Sequence, residues 1–221
     1  MRFRNVLRRA ESSCKLEMRV VVPYAASDPK TRLAGTLSPD ERAAFARAML
    51  EDVLAAVRAT GREPELLATD PIDVDAPVTV DDRPLTPAVN AALAETDGPV
   101  AVVMADLALA TPEALDRLFG TTADVAIAPG RGGGTNALVA RHPEFRTDYH
   151  GASYLDHLAA ARDVGATVTE VDSHRLATDV DERADLAEVL IHGSGAAREW
   201  LRAAGFSLAS EESRIGVVRT D

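Results

Sequence analysis

Hydrophobic and polar positions follow two rhythms along this chain, and the rhythms take turns. Val20-Val21-Val22, between Arg19 and Pro23, and the run from Pro99 to Met104 are unbroken apolar stretches. Stretches of that kind suit strands covered on both faces. Between them, Leu50, Val53, Leu54 and Val57 recur at helical spacing. Ser38, Pro39 and Glu41 read as the capped start of that helix, a capping box with proline in the first turn, and Gly61 ends it. Further strands are predicted at 66–68, 78–80, 125–128, 136–140 and 167–171, and further helices at 87–95, 111–120, 153–163, 183–190 and 194–204. Ser153 is expected to be the N-cap of its helix. The alternation predicts one doubly wound, mostly parallel α/β domain over residues 18–221, with no internal repeat and no linker.

One stretch breaks the alternation. Gly130-Arg131-Gly132-Gly133-Gly134 sits between two predicted strands. Glycines allow positive φ and let several backbone N–H groups point into one hollow, and an arginine among them adds a forked donor for phosphate or carboxylate. A flexible hairpin tip explains the same residues.

Charge narrows the partners. The 221 residues carry 24 Lys and Arg against 35 Asp and Glu, a formal net charge of −11. That balance disfavours nucleic acid and anionic membranes as partners. The longest apolar run, Val100 to Ala110, is interrupted by Asp106 and is too short for a bilayer. Cys14 is the only cysteine, so no disulfide framework and no cysteine zinc site can be built; a cytoplasmic location is expected. Only Lys15 and Lys30 are lysines. An acidic, alanine-rich, lysine-poor composition resembles that of salt-in halophiles. Residues 1–17 carry five basic and two acidic side chains. They read as a basic leader, either a binding arm or a start placed too early ahead of Met18.

Ligands of open parallel sheets sit beyond the carboxyl ends of the strands. Asp28, Lys30 and Arg32 follow the first strand, Asp106 follows the apolar strand, and Asp179 and Asp181 precede a late helix. Lys30 and Arg32 could neutralise a polyphosphate, or be a solvated loop. Asp106 reads equally as a metal carboxylate or an Asx turn, and Asp179-Val180-Asp181 as metal ligands or a helix cap. Two carboxylates from distant segments, meeting near phosphates, suit Mg²⁺. There is no Walker A pattern and no nucleophile elbow, so a P-loop NTPase and serine catalysis are disfavoured.

Pro29-Lys30-Thr31-Arg32-Leu33, Leu85-Thr86-Pro87-Ala88-Val89-Asn90, Val103-Met104-Ala105-Asp106-Leu107, the loop from Ala128 to Leu138, and Ile191-His192-Gly193 together resemble the 2-phospho-L-lactate guanylyltransferase family, of halophilic archaeal type. The resemblance runs from Met18 to about Phe206. It implies a Rossmann-like nucleotide-diphospho-sugar transferase fold. The implied reaction is GMP transfer from GTP to 2-phospho-L-lactate, in the biosynthesis of the deazaflavin coenzyme F(420). Phosphoenolpyruvate and 3-phosphoglycerate are alternative acceptors. A non-catalytic nucleotide-binding domain and a sugar-1-phosphate nucleotidyltransferase are rival readings.

The implied nucleotide residues are Lys30, Arg32, Pro87 and Asn90, and the implied acceptor residues are Arg131, Gly133, Gly134, Thr135 and Ser153. Lys30 and Asp106 would be catalytic, with Mg²⁺ on Asp106 and Asp181, Asp179 being the second choice. Ala108 stands where some relatives carry a second acidic residue, which would thin the metal shell. The partners implied are GTP and a small phosphorylated carboxylic acid, with a homodimer left open.

Overall fold

A computed structural model describes residues 17–27, 29–211 and 214–220. The leader's residues 1–16, and Asp28, lie outside the described residues.

Strand β1 (Arg19–Tyr24) is followed by a 3₁₀ turn (Thr31–Leu33) and helix α1 (Pro39–Ala59). Then come β2 (Pro64–Ala68), β3 (Val78–Val80), α2 (Leu85–Ala94), β4 (Val100–Val103) and α3 (Pro112–Phe119). The hairpin strands β5 (Val125–Pro129) and β6 (Thr135–Ala140) follow, then α4 (Ser153–Asp163) and β7 (Val168–Glu170). Three helices, α5 (His174–Ala177), α6 (Asp185–His192) and α7 (Ala196–Ala203), lead to β8 (Phe206–Glu211) and β9 (Arg214–Arg219).

The main sheet has seven strands in the order β3-β2-β1-β4-β6-β5-β7. Every pairing is parallel except the two made by β6. The expected mostly parallel doubly wound sheet is therefore present. Alternate strand residues feed two cores. Val20 and Val22 of β1 face α1, α3, α6 and α7, whereas Val21 faces α2 and α4. The apolar runs are needed because both faces are covered.

Several expectations shift. Ser38 does cap α1, with the reciprocal Glu41 contact of a capping box. Ser153, however, is the first helical residue of α4; Ala152 holds the cap position and makes no side-chain cap. The Ser153 hydroxyl turns inward instead. The late helix begins at Asp185, so Asp179 and Asp181 lie in the preceding loop and neither caps it. Helix α5 is only four residues long, and the antiparallel pair β8–β9 lies where no strand was expected. Both are too short or too mixed in polarity to show a period.

A second feature ties α1 to α7. Asp52, on α1, accepts hydrogen bonds from the backbone N–H groups of Ala196 (2.6 Å) and Ala197 (3.0 Å) at the start of α7. A Cβ on Gly195 would lie 2.0 Å from the Asp52 carboxylate, so only glycine fits there.

Candidate active site

Along the chain the strands go from β1 outward to β2 and β3, and then return to the other side of β1 with β4. Beyond the carboxyl ends of β1 and β4 is therefore the crevice where open sheets take ligands. Lys30 follows β1 and Asp106 follows β4.

The loop after β1 is held tightly. Lys30 has φ 57°, the only positive φ on a non-glycine residue among those described. Such a turn costs a β-carbon residue energy and persists only when its surroundings hold it. Here Arg42 Nε donates to the Pro29 carbonyl at 3.1 Å, and Leu33 and Leu37 are anchored in the core. The turn delivers the Lys30 ammonium between two carboxylates, at 2.7 Å from Asp106 Oδ2 and 2.7 Å from Asp181 Oδ1. Arg32 Nη1 reaches Asp181 Oδ2 at 3.4 Å. Burial lowers the Lys30 pKa, but Asp106 and Asp181 outweigh it and hold the ammonium above its ordinary value. Asp106 is pushed up by burial; Lys30 pulls it down, and the charges of Asp181 and Asp179 push it up again.

The loop carrying Asp179 and Asp181 is also pinned. Val180 N–H donates to the Asp106 carbonyl at 3.3 Å. Asp185, inside α6, reaches back to accept from the N–H groups of Asp181 (3.1 Å) and Glu182 (2.8 Å). Asn136 donates to the Asp179 carboxylate at 3.1 Å and to the Leu176 carbonyl at 2.9 Å. Asn136 can sit there because Gly130 lacks a side chain: a Cβ would lie 2.5 Å from the Asn136 amide oxygen. The glycine loop is thus a hairpin tip with a purpose, letting β6 steady an aspartate of the site.

Lys30 and Arg32 against Asp106, Asp179 and Asp181 leave the cluster one charge negative. Asp106 Oδ1 is buried and has no hydrogen-bond partner among the described residues. A buried carboxylate oxygen without a partner is costly and calls for an ion, a ligand or a water. Oxygen donors with surplus negative charge fit Mg²⁺. With Asp179 in the cluster, the alanine at position 108 does not leave the site short of carboxylates.

Two cavities flank the cluster. The first, about 340 Å³, is lined by Lys30, Thr31, Arg32, Asp106 and Asp181 with Tyr24. The second, about 410 Å³, shares Pro23, Tyr24, Ala25 and Met104 with it and is walled by Asp81, Arg83, Pro84, Leu85 and Ala88. The start of α2 therefore does border the site, but through Leu85 and Ala88. Pro87 is exposed and lines neither of these cavities. The Asn90 amide is spent on Thr147: Nδ2 donates to its carbonyl at 2.9 Å, and Oδ1 accepts from its N–H at 2.7 Å. Asn90 therefore holds the 147 loop in place, which its sequence position did not reveal.

The implied acceptor residues gather at the hairpin tip. Arg131 donates to Asp185 at 2.7 Å and remains half-exposed. Ser153 Oγ accepts from the Thr135 N–H at 2.9 Å, and Thr135 Oγ1 contacts His157 Nδ1 at 2.8 Å. His157 is fully buried, and its Nε2 accepts from the Asp148 N–H at 3.0 Å, so the neutral ring carries its proton on Nδ1. The Ser153 hydroxyl thus braces the loop's backbone, and the Thr135 hydroxyl ties it to His157. His157 had no readable signal, because a lone histidine in a helix has no spacing to betray it.

The fold and this carboxylate–lysine crevice define a nucleotidyltransferase-like protein. The TM-score is 0.68 to a protein from Desulfovibrio desulfuricans G20 assigned as a nucleotide-diphospho-sugar transferase, at 16% identity over 84% of this chain and 94% of that one. It is 0.56 to a nucleotidyl transferase from Methanothermobacter, at 16% identity over 84% and 98% of the two chains. The family is settled by sequence: residues 18–220 match the guanylyl transferase CofC-like family, to which this chain belongs. It is 65% identical to a 2-phospho-L-lactate guanylyltransferase from Halomicrobium mukohataei, over 91% of this chain and 100% of the relative. The corresponding enzyme of Haloferax volcanii is 64% identical, over 91% and 98%.

Proposed function

We propose that this protein transfers GMP from GTP to the phosphate of 2-phospho-L-lactate, releasing pyrophosphate and forming lactyl-diphospho-guanosine for coenzyme F(420) biosynthesis. The observation that carries this reading is the Lys30–Asp106–Asp181 cluster in the β1/β4 crevice, with Asp106 Oδ1 buried and without a partner among the described residues. The names of the relatives supply the substrates.

In this reaction an acceptor phosphate oxygen bonds to the α-phosphorus of GTP while the bond to the bridging oxygen of the pyrophosphate breaks. No covalent enzyme intermediate is needed, so the protein works by placement and electrostatics. Asp106, Asp181 and Asp179 would hold Mg²⁺, which when bound offsets phosphate charge and templates the two anions. Lys30 and Arg32 line the cavity that takes the triphosphate and balance the charge on the departing pyrophosphate. The adjoining cavity beside α2 has room for the base. Arg131 would exchange Asp185 for the acceptor's carboxylate, beside a turn whose shape is held by the Gly133 N–H on the Gly130 carbonyl and the Thr135 N–H on Ser153 Oγ.

Pyrophosphate release from GTP and Mg²⁺ in high salt, with 2-phospholactate, phosphoenolpyruvate or 3-phosphoglycerate, tests the reading. Turnover is expected to be highest with 2-phospholactate. Release with none of the three would sink the catalytic reading. Asp106→Asn is expected to lower turnover at least ~10²-fold, the scale of losing one preorganised electrostatic contact, with an unchanged melting temperature. Retained turnover would remove Asp106 from the mechanism.

A further inference from the structure

The Ile191-His192-Gly193 motif has no part in the chemistry above. It ends α6 on the far side of the loop that carries Asp179 and Asp181. Its histidine meets a second one there. His192 Nε2 lies 3.7 Å from Glu188 Oε2, one helical turn away on α6, and His174 Nε2, on α5, lies 3.5 Å from the same oxygen. The two imidazoles stand edge to face, with centroids 5.2 Å apart. One ligand atom from each of the three side chains falls within 4.8 Å of the others.

We propose that His174, Glu188 and His192 form a binding site for a transition-metal ion of the zinc class, which clips α5 to α6. Ligands bound tetrahedrally at ~2.0–2.1 Å stand about 3.3 Å apart, so the two histidine–carboxylate separations of 3.5 and 3.7 Å need only a small contraction, and the histidine pair, within 4.8 Å, closes by rotation of exposed side chains. Two imidazoles and one carboxylate are a donor set that zinc, nickel, cobalt and copper accept and that Mg²⁺ does not favour. The site opens to solvent, with the histidine side chains 51% and 41% exposed, which leaves a coordination position for water.

The backbone around the three ligands is fixed. Arg175 donates to the His192 carbonyl at 2.5 Å, and Thr178 Oγ1 donates to the His174 carbonyl at 3.0 Å. Gly193 lets the chain leave the helix immediately after His192, because a Cβ there would lie 2.6 Å from the Val189 carbonyl. The ends of α5 and α6 thus present their ligands without needing to refold. Residues 178–184 lie between the two helices, so an ion held here shortens the freedom of the segment that carries Asp179 and Asp181. The site is distinct from the Mg²⁺ cluster in donor type and shares no residue with it.

The test is titration of the metal-free protein with Co²⁺ and Zn²⁺ in saturating Mg²⁺, which keeps the carboxylate cluster filled. One equivalent of Co²⁺ is expected to bind with visible d–d absorption, and Zn²⁺ to displace it. Zn²⁺ should also slow amide hydrogen exchange across residues 174–192. His174→Gln and His192→Gln should each weaken binding at least ~10-fold, no less than the loss typical of an outer-shell partner, and abolish the exchange protection. Both changes fall on exposed side chains, so melting temperature without added metal should stay put. Failure to bind one equivalent, or binding that both variants leave untouched, overturns the proposal. The three side chains would then be an ordinary ion-pair cluster.

Discussion

At the scale of single residues, His157 links the Thr135 end of the glycine hairpin to acidity. Burial holds its pKa down, from the ordinary 6.5 to about 4. Its Nε2 accepts one hydrogen bond and its Nδ1–H faces Thr135, so the neutral ring is the one that fits. A base whose folded pKa is depressed favours folding above its unfolded pKa, and the contribution is lost as pH falls toward the folded value. The window is therefore pH 6.5 down to about 4, and the loss amounts to about 3 kcal/mol. Denaturant unfolding across that window should show the fall in the parent protein. His157→Gln should be less stable at neutral pH yet lack this part of the slope. Parallel slopes would show that the acid sensitivity lies elsewhere. Lys30 is the opposite case for legibility. A lysine-poor composition pointed to it, because nearly every other basic position had become arginine, and it stands between two carboxylates. Asp185 and Asn136 gave no such sign, since their work is done through backbone groups and a neighbour's missing side chain.

At the scale of elements, α7 depends on a carboxylate that belongs to another helix. Its own N-cap position is Gly195, which offers no side chain, and Asp52 supplies both acceptors from α1. Asp52→Ala would leave two N–H groups at a packed interface without partners. The expected cost is about 1–2 kcal/mol, the range for losing a helix cap, read as a shift in the denaturation midpoint with an unchanged slope. An unchanged midpoint would mean that water replaces the carboxylate without loss. The strands β1, β4, β5 and β6 and the capped helices α1 and α3 were legible because period, cap and stop signal agree. Helix α5 and the β8–β9 pair were not, because they are shaped by what they pack on. Ser153 misled for a related reason: a serine at the head of a helix usually caps it, and here it turns instead to a neighbouring strand.

At the scale of the whole molecule, charge sets the working conditions. A formal net charge of −11 on a chain of 221 residues makes the compact state repel itself, and salt screens that repulsion. The Debye length falls from about 10 Å at ~0.1 M salt to about 3 Å at ~1 M. Melting temperature is therefore expected to rise between those KCl concentrations. A flat or falling dependence would show that self-repulsion is not limiting. The fold class was legible at this scale because alternation of strand and helix leaves few topologies. The reversed direction of β6 was legible only through its short glycine loop, which suits a hairpin, since its apolar run reads the same either way.

The bridge from Asp52 to α7 also sets an order for the protein's birth. A ribosome releases α1 long before it has made Ala196 and Ala197, 144 and 145 residues further on. Until then the Phe45 ring lacks Trp200, which stacks against it at 5.3 Å, and the Asp52 carboxylate has no N–H groups to receive. Helix α1, made early, is thus among the last elements to be finished. A nascent chain halted before α7 carries an open flank of its own core.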